Sequence, residues 1–189
     1  MIDAARFAQA LKGLHLLLAL EPDGLSFFEK SYAGFLRSFF PALVLAPLQF
    51  IHVSALYMAA DPTPELAISV IVETLAYVLT WVLFPFVMLY VTRALGKDGA
   101  YFTYIAPYNW FQLLVGLVVL PLTLLVDFGG LDGEAAAFFN FLILGLFLFY
   151  GTFLARTALN VTTSMAFGIV LIDIMISLVS SELIDQIPT

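Results

Sequence analysis

Residues 64–95 read PELAISVIVETLAYVLTWVLFPFVMLYVTRAL, and they decide the class of the fold. Their only charges are Glu65, Glu73 and Arg93; nearly everything else is apolar. As a helix the run is roughly 45 to 50 Å long at the usual rise. That exceeds a hydrocarbon core of about 30 Å, so the helix is expected to tilt, to kink at Pro85 or to protrude at its basic end. Thr63 suits the N-cap, and Pro64 suits the first helical position, where a missing N–H costs nothing. Glu73 lies about a third of the way in from the acidic end. A charged carboxylate is costly there, so Glu73 is expected to have a partner or a proton. Tyr77 and Thr80 extend it into a polar stripe at helical spacing.

The rest of the chain matches this stretch. Its 189 residues are 62% hydrophobic and 11% charged, with a mean hydropathy of +1.04. A soluble domain of this size is closer to half apolar and a quarter charged. The excess is more than one small soluble core can hide, so the expected solvent is a bilayer. The reading is an all-α integral membrane bundle of five transmembrane helices, residues 38–59, 64–95, 103–126, 134–155 and 162–183, forming one domain over 38–189. Residues 1–37 form a cytoplasmic or interfacial segment ahead of it.

That segment opens with an expected amphipathic helix over residues 2–20. Phe7, Leu11, Leu14 and Leu18 share one side, with Asp3, Arg6, Gln9 and Lys12 on the other. It is too short to span and lies either in the interface plane or on the bundle. Ser26-Phe27-Phe28-Glu29 fits a capping box that would start the next helix. Pro41 and Pro47 are expected to bend the first span. Tyr101, Tyr104, Tyr108 and Trp110 resemble an aromatic belt at the entrance of the third. Asp132 suits the N-cap of the fourth. Ser164 and Gly168 in the fifth make a small-xxx-small pair.

The turns sort by charge. Arg6, Lys12, Lys30, Arg37, Arg93, Lys97 and Arg156 fall on one side; Asp61, Glu65, Asp127, Asp132, Glu134, Glu182 and Asp185 fall on the other. Positive-inside reasoning places the N-terminus in the cytoplasm and the C-terminus outside. The start is not expected to act as a secretory signal: Asp3 sits in the would-be basic region, the apolar core from Leu14 to Leu20 is short, and no small-x-small cleavage site follows. A net charge of −7 argues against a nucleic-acid partner. The absence of cysteine removes disulfides, thiolate metal sites and thiol nucleophiles. No serine-hydrolase elbow, zincin motif, P-loop or intramembrane aspartyl-protease pattern is present, and no cofactor is implied; an enzyme is not the expected reading, although two unpatterned carboxylates could serve as an acid/base pair.

Counting from the helix ends puts His52, Glu73 and Asp173 roughly 12 to 15 Å below the outer surface, on three different helices. Asn140 is close to that level, Gln49 shares a face with His52, and Tyr77 shares one with Glu73. If the helices bring these groups together, they can relay protons, bind a cation or hold a polar substrate group. The plainer reading is interhelical glue, contributing about 0.6 kcal/mol per contact. A metal fits the ligand types, but no two candidate ligands share a helix, so none is expected.

The layout resembles the bacterial branch of the Yip1 family of five-span membrane proteins. The matching features are the cytoplasmic N-terminal segment, five close-set helices, the entrance Gly96-Lys97-Asp98-Gly99-Ala100-Tyr101-Phe102, and Ala155-Arg156-Thr157-Ala158 before the last helix. The likeness covers roughly residues 30–183. It implies a non-enzymatic scaffold in the inner membrane that binds lipid, other membrane proteins or a second copy of itself, and it supplies no site residues. The alternative expectation is a small transporter or proton-coupling component built on Glu73, Asp173 and His52.

Overall fold

A computed structural model describes residues 4–60 and 65–186. The Thr63–Pro64 helix start and the charges at Asp3 and Asp61 lie outside those residues. In order come α1 (Ala4–Leu18), a 3-10 turn (Pro22–Phe27), α2 (Tyr32–Arg37), α3 (Phe40–Ala59) and α4 (Leu66–Ala94). A second 3-10 turn (Asp98–Ala100), α5 (Tyr101–Asp127), α6 (Gly133–Leu159) and α7 (Thr163–Asp185) follow. No strand occurs among the described residues. Five segments are long and apolar enough to cross a membrane: Tyr32–Ala59, Leu66–Ala94, Asp98–Asp127, Gly133–Leu159 and Thr163–Ile184. The chain is an integral membrane protein, with Leu43, Phe50 and Phe141 each more than 70% exposed on the faces that hydrocarbon would cover.

α5 is the central element and touches α1, α2, α3, α4 and α6. Its first half is almost wholly buried: Tyr101, Tyr104, Tyr108, Trp110 and Phe111 all face the interior. This corrects the aromatic-belt reading. The rings pack against Phe84, Phe35 and Phe7 instead of anchoring at a lipid surface. Asn109 Nδ2 donates to Ser38 Oγ (2.9 Å), and His52 Nε2 meets Asp127 Oδ2 (3.0 Å). The first link holds the residue that ends α2, just ahead of α3, and the second holds α3 itself, so α3 runs parallel to α5. One end of the bundle therefore carries Arg37 and the Arg93–Lys97 turn, and the opposite end carries Asp127 and the turn to Asp132. Asp132 caps α6 as expected, accepting from Ala135 N.

The start of the chain differs from its reading in three ways. The Ser26 hydroxyl donates to Asp23 O, so no helix starts there; Ser31 caps α2 instead, accepting from Gly34 N. Pro41 does not bend a helix. It sits at the start of α3, after the break at Ser38–Phe39, where a proline removes no intrahelical bond. α1 buries Ala10, Gly13, Leu14 and Leu17 on the bundle; of the expected stripe, Leu14 is buried, Phe7 and Leu18 pack partly buried against the core, and only Leu11 is exposed, so the inward face is that stripe shifted toward Ala10 and Leu17. Docking depends on two glycines. A Cβ on Gly13 would come within 2.9 Å of Gly24 O, and one on Gly24 within 2.6 Å of Gly13 O. On α7 the close approach to α6 is made by Val170 against Gly151, not by Gly168, which has nothing near its Cα hydrogen.

Candidate functional site

Asp173 belongs to the inward stripe of α7, in step with Ala166, Ile169 and Val170, all buried. Tyr108 Oη donates to Asp173 Oδ2 (2.8 Å), and Gln112 Nε2 donates to Tyr108 Oη (2.6 Å). Tyr108 and Gln112 stand one helical turn apart on α5, so a single face of that helix carries the relay. Each donor has one acceptor, and the carboxylate lies at the end of the chain.

His52 is elsewhere. It clasps Asp127, the last residue of α5, and its Nδ1 is buried without a partner. Tyr108 and Asp127 are nineteen residues apart on α5, roughly 28 Å at the helical rise. The single layer of His52, Glu73 and Asp173 is thereby corrected: His52 belongs to the acidic end, and Asp173 is held from the first third of α5. Counting inward from helix ends had assumed straight helices with aligned termini, and these helices differ in length and in where they begin.

Glu73 occupies a third environment. α3 and α4 are consecutive, yet they scarcely touch, and a crevice of about 500 Å3 lies between them. Glu73, Gln49, Ser54, Ser69, Thr74 and Tyr77 belong to its polar lining, and Phe50, Val53 and Val70 supply part of its apolar wall. Among the described residues no hydrogen bond joins Glu73 to His52 or Asp173. Tyr77 closes the inner end by donating to Ala42 O (2.5 Å) on α3. Asn140 is exposed on α6 and lines neither this crevice nor the chamber described next.

Gln49 and Tyr77 also border a second space, a chamber of about 340 Å3 between α3, α4 and α5. Tyr108, Asn109 and Gln112 project from α5 into its lining, with Thr80 and Trp81 from α4 and Ser177 from α7. Sequence reasoning placed Tyr108 at a membrane interface and gave Asn109 and Gln112 no part in a site. Their spacing along one face of α5 was the available signal. For Asp127 there was none, because an acid at a helix end reads as an ordinary turn residue.

At the basic end, Arg6 and Arg37 both reach Glu29 Oε2, at 3.1 and 2.5 Å. The carboxyl lies below the usual range, chiefly through the Ser31 hydroxyl bond; burial opposes the shift, and Arg37 and then Arg6 lower it further. The arrangement ties α1 to α2. No model of a known protein family, no curated protein and no solved structure matches the chain.

Proposed function

We propose that this is a non-enzymatic, multi-pass membrane scaffold of Yip1-like layout that receives a transmembrane segment of a partner, or of a second copy, in the α3–α4 crevice. The supporting observation is the separation of α3 and α4. Neighbouring helices in lipid normally close on one another through small residues and polar contacts. Here the gap is walled by Phe50, Val53 and Val70, with one carboxylate, Glu73, on its side. An apolar helix carrying a single basic or hydroxyl group would satisfy both parts of that wall. Its membrane is a bacterial inner membrane, as the resemblance implies, and its basic end faces the cytoplasm, as positive-inside reasoning expects from its turns.

The test is photo-cross-linking in native membranes from Val53 and Val70, with Phe141 on the lipid face as control. The scaffold reading expects discrete protein adducts from both crevice positions and lipid adducts alone from Phe141. Lipid adducts alone at all three positions would overturn it. A second reading, proton-coupled transport, is favoured by Gln49 and Tyr77 bordering both spaces, which links Glu73 to the Tyr108–Asp173 relay. Under that reading alone, Glu73→Gln abolishes pH-dependent flux in liposomes while leaving abundance unchanged.

A further inference from the structure

The chamber between α3, α4 and α5 carries unused hydrogen-bond acceptors on its α5 wall. Asn109 is fully buried, and its orientation is settled by its neighbour. Ser38 Oγ donates to Phe35 O, so it has only a lone pair to offer Asn109, which must present its NH2 group. That leaves Asn109 Oδ1 buried with no partner, although a buried carbonyl oxygen ordinarily has one. Gln112 is settled the same way. Tyr108 gives its proton to Asp173 and receives one from Gln112 Nε2, so the amide oxygen of Gln112 is the atom left over. Asn109 and Gln112 are three apart, on one face of α5.

The hydroxyls around the chamber repeat the pattern. Thr80 donates to Ala76 O, Tyr77 to Ala42 O and Tyr108 to Asp173. All three commit their protons to protein acceptors, and Tyr108 also accepts from Gln112 Nε2, so none of them has a proton to give. Gln49 and Ser177 retain protons to give. Among the described lining residues none is Lys, Arg or His. The nearest ionisable acids are Asp173 behind Tyr108 and Glu73 in the adjoining crevice, while the rings of Tyr77, Trp81 and Tyr108 supply π faces. A space with spare acceptors, aromatic walls and acids behind it suits a cation that brings its own N–H donors. Its 340 Å3 falls in the range of about 300 to 1,000 Å3 usual for small-molecule sites.

We infer that this chamber binds a small primary ammonium, held by Asn109 Oδ1 and Gln112 Oε1. The inference goes beyond the scaffold reading and does not depend on it, because the ammonium is held by α5 residues that a partner in the crevice need not touch.

The test uses the full chain in nanodiscs with Trp110→Phe, so that Trp81 is the one tryptophan and reports from the chamber wall. The probes are phenethylammonium, its uncharged isostere 2-phenylethanol, and its N-trimethylated form, which keeps the charge and lacks N–H donors. Phenethylammonium is expected to shift Trp81 emission saturably. The alcohol and the trimethylated form should each bind at least about tenfold more weakly. Asn109→Leu should weaken phenethylammonium binding by about tenfold or more, and Gln112→Met, which keeps the volume, gives the same readout should the first variant fold poorly. Any of three results would overturn the inference: no saturation by phenethylammonium in the millimolar range, equal binding of the alcohol, or wild-type affinity in a folded variant at either position.

Discussion

The two ends of this bundle are packed quite differently. At the basic end, the first half of α5 is enclosed by α1, α2, α4 and α6, and its rings interlock: Phe84 with Tyr108 at 4.5 Å, Phe7 with Trp110 at 5.6 Å. Two glycine backbones meet beneath α1. Toward the acidic end, α3 and α4 stand apart, and the His52–Asp127 contact clasps α3 to α5. Apolar content does not distinguish the two regions, since in a bilayer lipid tails compete with Leu and Val for every apolar face. Close packing arises where rings, glycines and hydrogen bonds give helices a reason to prefer one another. The tight half holds the structure, and the open half leaves surface for something else.

Mutations should separate the halves by size of effect. Tyr104→Ala empties a nearly fully buried ring site and should cost about 3–5 kcal/mol in reversible unfolding from mixed micelles. Gly13→Leu forces a side chain into the Gly24 carbonyl and the Phe27 and Phe28 side chains. A loss of about 1–3 kcal/mol is expected, seen first as protease cleavage ahead of α2. Asp173→Leu strands the Tyr108 hydroxyl, with a cost of about 0.6–1.7 kcal/mol, the range of polar contacts within membranes. At the loose end, Val70→Ala and Asn140→Leu should both stay within about 0.5 kcal/mol of wild type. A large loss at Val70 would mean that α3 and α4 are packed after all.

The Glu29 clamp makes a pH prediction. Its folded-state carboxyl lies below the usual range, so its stabilising contribution is present above the ordinary carboxylate value and is lost as pH falls through the lowered folded value. Protease cleavage between α1 and α2 should therefore rise in acid. Glu29→Gln should show the acid-like cleavage at neutral pH and little further change. Acid cleavage that is identical in both proteins would remove Glu29 from the account. The effect is small, because both arginines and the carboxylate are well exposed.

How much of this was legible follows from the same physics. The five long helices follow from hydropathy and length, because in lipid every backbone group must be satisfied within its own segment. Which face of each helix turns inward does not follow, since both faces are apolar and periodicity carries little information. That is why Tyr104 and Tyr108 resembled interface anchors and why Asn140 joined a layer it does not belong to. Asp173 was legible as a costly residue; its partner was not, because Tyr108 is sixty-five positions away. Pro41 and Ser26 failed for a local reason: each has two roles near a helix start, and tertiary contacts chose between them.

The separation of α3 from α4, set against the closed first half of α5, is the claim on which the rest stands. The chain has no cysteine, so single cysteines at Val53, Ser69 and Glu73 can be compared with ones at Ile105 and Ala106 for reaction with a membrane-soluble maleimide in nanodiscs. The account predicts rapid labelling at the three crevice positions and protection at the two on α5. Equal protection at all five would show that α3 and α4 close on each other, and would contradict it.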